Sequence, residues 1–420
     1  MTHYEKFIRD PIYGFIGFTK EELKLLDTPV VQRLRRIKQL GNTHLIYPGA
    51  NHTRFEHSLG VMHVATRMAK KLDFKENEIV NIRFAALLHD IGHGPLSHNF
   101  ELALSNNGKN ASHEDATRII IENDRIVGKI LGKRKKDVLA LFDEHDDTVN
   151  SKIISGNIDA DRLDYLRRDS YHIGVAYGQF DLERILHTIN KKVEGDRSDL
   201  TVLEKGKEAV ENFRIARYLM YTQVYFHHAR LIADKMFERA VKVAIRDGII
   251  DKSRLNISDD DFINYYLSLD DDRLFQKILS NEKSNAYRLI DDLDNRRLMK
   301  AGYDVDINNL SEIGLKRKLA SAKHDEEIEN YIADKCGCNK DFIIAFSVEI
   351  DNPLYKSSNE FYKADKTPIL IEFENGDIKE FDLVSPFELK KNSVIKFYIL
   401  GLEKDKEKIV KASKNLGKDV

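Results

Sequence analysis

The chain has 420 residues, of which 42% are hydrophobic and 32% charged, and its formal net charge at pH 7 is -2. The hydrophobic share excludes a chain that is disordered as a whole, and the near-neutral charge excludes a global electrostatic attraction to nucleic acid or anionic membranes. Because this length exceeds what a single core usually supports, we expect one large domain with at least one smaller appendage.

The cysteines and the N-terminal segment bear on the cellular compartment. Cys336 and Cys338 are the two cysteines of the chain, and no second pair completes a tetrahedral zinc site. The first residues lack a continuous apolar signal segment, and no apolar run approaches the ~20 residues that a membrane span needs. We therefore expect a reduced, cytoplasmic protein without a membrane partner.

Helices dominate the first part of the predicted structure. Apolar residues three and four positions apart predict helices over residues 19–40 and 55–72, and the apolar stretch 78–89 predicts a buried helix. Ser112 is a suitable N-cap for a further helix that begins near His113.

The charge and hydropathy patterns continue to favour helices up to about residue 334. We expect a highly charged helix over residues 158–170, a short hairpin or loop over 191–206, and one long helix over 209–245. Charged helices are expected to follow over residues 251–334.

The residue pattern changes from helical to β-rich after residue 340. Runs typical of β-strands cover residues 342–350, 368–373 and 393–400, and a charged helix is predicted over 405–416. The predicted fold is mainly α, with a helical domain over residues 1–340 and a small α+β lobe over residues 341–420.

An adjacent imidazole and carboxylate, His89 and Asp90, are expected at the end of the buried helix. Together they offer nitrogen and oxygen ligands for a divalent ion, although a His-Asp pair alone is more often a surface coincidence. The context favours a site, because His93 and His98 follow among glycines that permit close backbone approach. His57 and Asp161 could complete a shell of two imidazoles and two carboxylates, although each taken singly is better explained as a core histidine and a surface carboxylate.

Several ordered motifs resemble the HD-domain superfamily, whose pattern is a His, then a His-Asp pair, then a distal Asp. They are most similar to the deoxynucleoside triphosphate triphosphohydrolases (dNTPases) of that superfamily. The motifs include Lys38-Gln39-Leu40-Gly41, Arg54-Phe55-Glu56-His57-Ser58, Leu88-His89-Asp90-Ile91-Gly92-His93-Gly94-Pro95 and the segment Asp159 to Asp169. The resemblance implies a helical HD-domain core and metal-dependent hydrolysis of deoxynucleoside triphosphates (dNTPs) to deoxynucleoside and inorganic triphosphate.

The resemblance also implies the ligands of the divalent metal ion, which are His57, His89, Asp90 and Asp161. This set leaves the metal open, because two imidazoles and two carboxylates accept iron, manganese, zinc, nickel or magnesium.

The family's active-site histidines match three positions of this chain. They are His93, His98 and His113, and we expect His113 to protonate the departing 5'-oxygen. Glu101 matches the carboxylate that orients this histidine, although relatives carry Asp there.

The resemblance further implies a set of substrate contacts. Gln39 and Asp169 are expected to hold the 3'-hydroxyl, and Leu40 to pack against the 2' carbon of the sugar, which would disfavour ribonucleotides. Tyr165 is expected to contact the sugar and the phosphates. Phosphate oxygens are expected to bind the guanidinium groups of Arg54, Arg162 and Arg217.

Helical spacing bears independently on these contacts. Asp161, Tyr165 and Asp169 are four residues apart, so they share one helix face, although a solvated helix with i,i+4 pairs has the same spacing. Tyr225 lies on the same helix face as Arg217. It is equally well explained as part of a core aromatic stripe or as a base-stacking residue.

Asp27 and Arg35 match residues that, in relatives, read a guanine base at an activating site between subunits. The resemblance therefore implies a homo-oligomer, a dimer or tetramer, with a nucleotide activator. Asp27 before Thr28-Pro29 is also explained as a plain helix cap.

Two other functions fit the same metal motif. One is an HD phosphohydrolase that acts on a nucleoside monophosphate, a cyclic nucleotide or a guanosine polyphosphate. The other is a nucleic-acid-binding or regulatory protein with basic patches at residues 33–38 and 133–136. No aromatic residues are interleaved with those patches, so nucleic acid is not an expected partner.

Overall fold

The computed structural model describes residues 3–104, 112–143, 148–194, 197–350, 368–386, 394–414 and 416. Helices dominate, which confirms the mainly α prediction. The helices up to residue 173 are α1 Lys20–Leu26, α2 Pro29–Arg33, α3 Arg54–Lys71, α4 Glu76–Leu88, α5 His98–Leu104, α6 His113–Asn123, α7 Arg125–Leu131, α8 Lys135–Ala140, α9 Val149–Ser155 and α10 Ala160–Ile173.

The later helices begin at residue 182 and continue into the C-terminal part. They are α11 Leu182–Thr188, α12 Lys207–Met220, α13 His228–Arg246, α14 Phe262–Leu267, α15 Asp271–Leu279, α16 Asn285–Asp294, α17 Ile313–Leu319, α18 Asp325–Cys336, α19 Phe381–Val384 and α20 Lys406–Ser413.

The described strands form three small sheets. The strands are β1 Lys6–Asp10, β2 Gly14–Phe18, β3 Ile189–Glu194, β4 Arg197–Leu203, β5 Lys300–Asp306, β6 Ile344–Ile350, β7 Leu370–Glu372, β8 Ile378–Glu380 and β9 Val394–Gly401. β1 and β2 form a hairpin, and β3-β4-β7-β8 form a four-stranded sheet in which β4 and β7 are parallel. The third sheet has the order β5-β9-β6 and is antiparallel throughout.

The predicted hairpin near residues 191–206 is confirmed as β3 and β4, and the strands expected near 342–350 and 393–400 are confirmed as β6 and β9. Strand pairing crosses residue 340 twice, because β5 pairs with β9 and β4 pairs with β7. The division into domains at that residue stays a prediction.

Buried apolar side chains form three clusters among the described residues. The largest joins helices α1 to α4 with α10 to α12, and it also includes Ile371 and Phe381 from the C-terminal part. The second packs α5 against α13 and α16, and the third covers the β5-β9-β6 sheet with α18 and α20. The ends of α4, α5, α6 and α10 meet where the first two clusters adjoin.

Two long predicted helices are broken in the structure. The helix expected over residues 19–40 ends at Leu26, because Thr28 caps a new helix whose first residue is Pro29. The helix expected over residues 209–245 is interrupted by a π-helical turn at Tyr221–Tyr225 and a break before His228. No proline or glycine marks this second break, and the apolar periodicity continues across it. The sequence therefore predicted one unbroken helix.

Local capping explains where the site helices begin. Ser112 Oγ accepts the backbone N–H of Asp115 at 3.2 Å, and the Asp115 carboxylate accepts the N–H of Ser112 at 2.9 Å. The predicted N-cap at Ser112 is therefore confirmed. This capping box fixes the first residue of α6, His113, at the start of the helix.

Two further findings concern the helices and the cysteines. Within the described ranges, no helix combines the length and the apolar character that crossing a bilayer requires. Cys336 and Cys338 are both free thiols.

Candidate active site

A cavity of about 500 Å³ lies between the ends of α4, α5 and α6 on one side and α10 and α12 on the other. Asp27, Arg35 and the deeper His57 do not line it. The cavity wall includes all the other predicted site residues, which are Gln39, Leu40, Arg54, His89, Asp90, His93, His98, Glu101, His113, Asp161, Arg162, Tyr165, Asp169, Arg217 and Tyr225.

The four predicted metal ligands converge at one end of this cavity. His57 Nε2 lies 3.3 Å from His89 Nε2 and 2.9 Å from Asp161 Oδ1. Asp90 Oδ1 lies 3.2 Å from His89 Nε2. Ligand atoms of His57, His89 and Asp90 lie within 4.8 Å of one another, and Asp161 joins them through His57. We call these four side chains the metal cluster.

The outer nitrogen of each imidazole in the metal cluster already has a partner. His57 Nδ1 lies 2.8 Å from Asp164 Oδ2, and His89 Nδ1 lies 2.8 Å from the carbonyl oxygen of Ala86. Both Nδ1 atoms therefore donate, so the Nε2 atoms of the two rings are directed toward each other and toward the carboxylates. Because two imidazoles and two carboxylates are ligands that divalent ions accept, the cluster fits a divalent metal ion.

The charges in the metal cluster support the same conclusion. Burial alone lowers the pKa of His57, but hydrogen bonds to Asp161 and Asp164 outweigh it and raise the pKa to about 10. Burial of Asp90 is likewise outweighed by Arg54 and His89, which hold the pKa of this carboxyl well below its usual range. The cluster thus has an excess of negative charge that a proton or a metal ion can balance.

The start of α10 brings Asp161 into the metal cluster. Asp159 is the N-cap residue of this helix, and its side chain accepts the backbone N–H of Arg162 at 2.7 Å. Arg162 also bonds the Asp159 carboxylate through its guanidinium group. Burial raises the pKa of Asp159 to about 7 despite the nearby Arg162.

A buried chain of ion pairs behind His57 was missed by the sequence analysis. Asp164 receives hydrogen bonds from Arg168 at 2.8 and 3.0 Å, and Arg168 also donates to Asp10 Oδ2 at 2.9 Å. The chain needs a close helix contact, since a Cβ atom at Gly60 would lie 2.0 Å from Asp164 Oδ1. Asp164 lies three residues after Asp161 on α10, which was the only available signal.

A second group, which we call the histidine–glutamate cluster, adjoins the first. It consists of His93, His98, Glu101 and His113, whose donor atoms lie within 4.8 Å of one another. The rings of His93 and His113 stack with centroids 3.9 Å apart. Glu101 Oε1 lies 3.2 Å from His113 Nδ1, 3.4 Å from His93 Nδ1 and 3.7 Å from His98 Nδ1.

The rings of this cluster differ in protonation. Burial lowers the pKa of His113, but Glu101 and Glu114 outweigh it and raise the pKa to about 9. Burial lowers the pKa of both His93 and His98, and the charge of His113 lowers it further. Near neutral pH, His113 is therefore the protonated ring beside two neutral imidazoles.

Gly92 permits the approach of α6 to the end of α4. A Cβ atom at Gly92 would lie 2.1 Å from the carbonyl oxygen of His113 and 2.4 Å from the backbone nitrogen of Thr117. The backbone N–H of Gly92 also donates to Thr117 Oγ1 at 3.0 Å. The contact places His113 next to the His-Asp turn, as the glycines of the motif suggested.

Polar groups that can hold a sugar lie at another part of the wall. Tyr225 donates its hydroxyl to Asp169 Oδ2 at 2.6 Å, and His52 Nε2 lies 2.8 Å from Asp169 Oδ1. The sequence analysis did not include His52. Gln39 Oε1 is buried and has no hydrogen-bond partner among the described residues, and Leu40 is buried beside it.

The predicted phosphate-binding arginines differ in their surroundings. Arg54 donates to Asp90 Oδ2 at 2.7 Å and to Ser97 Oγ at 2.7 Å, so it also ties a metal-cluster carboxylate in place. Arg162 is held by Asp159, and Arg217 lies over the Tyr221 ring at 5.6 Å. All three arginines line the cavity.

The two residues predicted for an activating site lie elsewhere. Asp27 is exposed at the C-terminal end of α1, and Thr28 rather than Asp27 caps α2. The exposed Arg35 lies over the ring of Phe55, 3.6 Å from its centroid, and donates to Gln32 Oε1 at 2.8 Å.

Two family matches agree with this geometry. Residues 54–169 match the HD domain, and residues 180–365 match the HD associated region. The HD match begins at Arg54, at the start of α3, and ends at Asp169 near the end of α10. It therefore contains the whole of both clusters.

Similar proteins come from distant organisms. The uncharacterized protein MJ1154 of Methanocaldococcus jannaschii is 39% identical over 283 residues, which are 67% of this chain and 59% of that protein. The deoxynucleoside triphosphate triphosphohydrolase SAMHD1 of Gallus gallus is 26% identical in an alignment 427 positions long, gaps included, that covers 86% of this chain and 68% of that protein. The crystal structure of a phosphohydrolase from Bacteroides thetaiotaomicron superposes with a TM-score of 0.76 and 28% identity, covering 94% of this chain and 99% of that one.

The matched length differs among these relatives. The chain covers 59% of MJ1154 and 56% of the uncharacterized protein YwfO of Bacillus subtilis, to which it is 40% identical. It thus spans a little more than half the length of these two relatives.

Proposed function

Because this chain is an HD-domain protein with an HD-associated region behind the domain, we propose that it hydrolyses dNTPs to a deoxynucleoside and inorganic triphosphate in a metal-dependent reaction. One observation carries the proposal. Three residues of the metal cluster, the whole histidine–glutamate cluster and three arginines line a single cavity. The similarity to a relative named as a dNTP triphosphohydrolase supports the choice of substrate.

The metal cluster would hold a divalent ion through His57, His89, Asp90 and Asp161. Such an ion polarises a phosphate oxygen and lowers the pKa of water, which is the chemistry that phosphoester hydrolysis needs. Asp164 orients His57, and the carbonyl oxygen of Ala86 orients His89. Both rings thus keep Nε2 directed into the cluster.

The arginines would bind the triphosphate. Arg54, Arg162 and Arg217 offer planar guanidinium groups, each of which can bond two phosphate oxygens. Arg54 connects phosphate binding with metal binding, because it already contacts Asp90. The α-phosphorus would therefore lie next to the metal cluster.

His113 would supply the proton to the leaving group. In the proposed reaction, the oxygen of a water molecule bonds to the α-phosphorus, and the bond from phosphorus to the 5'-oxygen breaks. His113, whose pKa is about 9, gives its proton to the 5'-oxygen, and a proton of the attacking water restores the ring. Glu101 holds the His113 ring through Nδ1.

The sugar would bind where Gln39, Leu40 and Asp169 line the cavity. The unpartnered Oε1 of Gln39 can accept the 3'-hydroxyl, and Asp169 can accept it too, because a carboxylate has room beyond its bonds to Tyr225 and His52. Leu40 presents an apolar side chain, so a 2'-hydroxyl there would lose its hydrogen bonds. This arrangement favours deoxynucleotides.

The test is a substrate panel with identified products. The purified protein is incubated with Mn²⁺ or Mg²⁺ and dNTPs, ribonucleoside triphosphates, deoxynucleoside monophosphates or cyclic nucleotides, and the products are separated by chromatography. We expect deoxynucleoside and triphosphate from dNTPs alone. The activity should be lost in a His89→Ala, Asp90→Ala variant and kept in His187→Ala, which changes an exposed histidine outside the cavity.

If dNTPs stayed intact while another nucleotide gave products, that nucleotide would replace dNTPs as the proposed substrate. Products that persist in the His89→Ala, Asp90→Ala variant would contradict the site itself.

We also propose a homo-oligomer in which a nucleotide activator contacts Asp27 and Arg35. Both residues are exposed and lie outside the cavity, so they are accessible to a second molecule. Size-exclusion chromatography with and without GTP or dGTP tests the idea. A fully active monomer that does not respond to either nucleotide would contradict it.

A further inference from the structure

Asp271 reaches the candidate active site from the HD-associated region. It is the first residue of α15, and its side chain is buried. Asp271 Oδ2 accepts the backbone N–H of Lys38 at 2.9 Å, and Asp271 Oδ1 accepts the backbone N–H of Leu96 at 2.7 Å. One carboxylate therefore joins two segments that are far apart in the sequence.

These two segments carry different parts of the proposed chemistry. Lys38 directly precedes Gln39 and Leu40, which line the sugar side of the cavity. Leu96 lies two residues before His98, the first residue of α5 and a member of the histidine–glutamate cluster. The Asp271 carboxylate thus bonds one segment on the sugar side of the cavity and one that leads into the histidine–glutamate cluster.

The backbone of the turn at Leu96 and Ser97 has an unfavourable conformation. Leu96 and Ser97 have φ angles of 51° and 60°, a left-handed conformation that residues with a Cβ atom rarely adopt. The hydrogen bond from Leu96 N–H to Asp271 and the contact of Arg54 with Ser97 Oγ both hold this turn.

The residues beside Asp271 strengthen the connection. Arg33, which is buried, donates to the carbonyl oxygens of Leu269 at 2.7 Å and of His93 at 2.8 Å. Arg36 pairs with Asp270 at 2.6 Å. Residues 269 to 271 thus each bond a residue of the segment 33–38 or of the turn that follows Asp90.

We infer that Asp271 is a positioning residue, which sets the distance between the substrate-binding segment Lys38–Leu40 and the turn that carries His98. Asp271 is absent from the cavity wall, so it acts through these segments and does not touch the substrate. The expected change in kcat rests on the proposed function. The expected change in structure rests on the two hydrogen bonds of Asp271 alone.

The test compares Asp271→Asn with Asp272→Asn. The amide that Asp271→Asn introduces keeps one acceptor and places an N–H₂ group against the other backbone N–H, so one tether is lost. Asp272 is exposed in the same first turn of α15, so its variant controls for the loss of a charge there. Thermal melting and metal stoichiometry show whether each variant is folded and loaded.

We expect Asp271→Asn to lower kcat by about tenfold to a hundredfold, with a smaller change in KM, because small misplacements of reacting groups have effects of that size. Asp272→Asn should match the parent chain, and Asp271→Glu should recover part of the rate. Equal kcat in Asp271→Asn and Asp272→Asn would overturn the inference.

Hydrogen–deuterium exchange separates this inference from the proposed function, because it needs no substrate. In Asp271→Asn, but not in Asp272→Asn, exchange should rise in peptides covering both residues 36–41 and 94–99. A parent chain inactive on every dNTP would contradict the proposed function, and the exchange result would still decide the role of Asp271. Unchanged exchange in both peptides would overturn that role.

Discussion

The metal cluster and the histidine–glutamate cluster are both built from imidazoles and carboxylates, yet their surroundings suit them to different chemistry. In the metal cluster, each imidazole has its Nδ1 bonded from outside, so Nε2 of His57 and Nε2 of His89 converge. In the histidine–glutamate cluster, the Nδ1 atoms instead face one internal carboxylate, Glu101. The first arrangement suits a divalent cation, whereas the second suits a proton shared with Glu101.

The partner of the outer nitrogen therefore distinguishes the two kinds of histidine. An external acceptor fixes the tautomer and leaves a lone pair for a metal ion. A carboxylate inside the cluster instead stabilises one protonated ring, His113, beside neutral ones. Each prediction below removes one part of this contrast.

The largest effect is expected when the metal cluster loses a ligand. Asp161→Ala should reduce bound metal to a small fraction of one ion per chain, and hydrolysis should fall by at least about a thousandfold, since the ion supplies several kcal/mol of charge stabilisation. Metal analysis of the purified protein and product chromatography measure both effects. Asp260→Ala, which changes an exposed aspartate outside the cavity, should alter neither. Full metal content in Asp161→Ala would remove Asp161 from the ligand set.

A loss of rate with the metal retained is expected from the histidine–glutamate cluster. His113→Gln removes the proposed proton donor, so kcat should fall by roughly a hundredfold to a thousandfold, the usual contribution of general acid catalysis. His324→Gln is the matched control, because His324 makes a similar 3.2 Å contact with Glu327 on the surface. If His113→Gln also lost the metal, the two clusters would not be functionally separate.

The outer partner of His57 can be tested on its own. Asp164→Asn replaces the carboxylate that accepts from His57 Nδ1, so metal affinity should fall about tenfold to a hundredfold, while kcat at saturating metal recovers much of its value. Isothermal titration with Mn²⁺ gives the affinity. Asp199→Asn, which breaks an ion pair of a more exposed aspartate with Lys152, should leave it unchanged. An unaltered affinity in Asp164→Asn would show that Asp164 only supports the fold.

Most of the candidate site could be predicted because its residues lie in short ordered motifs. The HD pattern gave His57, His89, Asp90 and Asp161, and the resemblance it supports is confirmed by the match over residues 54–169. The roles of these residues stay predictions, although the structure brings the four side chains together.

The supporting residues could not be predicted, because their roles depend on contacts between distant segments. Asp10 meets Arg168 across 158 positions, and Asp271 meets Lys38 across 233. Neither position carries a local pattern that indicates such a partner. In the same way, the π-helical turn at Tyr221–Tyr225 lies in a segment whose periodicity predicts an unbroken helix.

The smallest expected effect is a change in the pH dependence of kcat. It tests the histidine–glutamate cluster without changing the metal cluster. Below its pKa of about 9, His113 is protonated and can donate, so kcat should fall as the pH rises through that value. In Glu101→Gln the charge that most raises this pKa is gone, and burial then favours the neutral ring. The descending limb of the kcat profile should therefore move to lower pH, by about one pH unit or more.

Glu114→Gln provides the matched comparison, because Glu114 lies 3.2 Å from His113 Nε2 and raises the same pKa less than Glu101 does. Its descending limb should move in the same direction by a smaller amount. Since both variants keep the metal cluster intact, metal content should stay at the parent value in each. A limb that stays in place in Glu101→Gln would assign the titration to another group, and His113 would then lose its role as the proton donor.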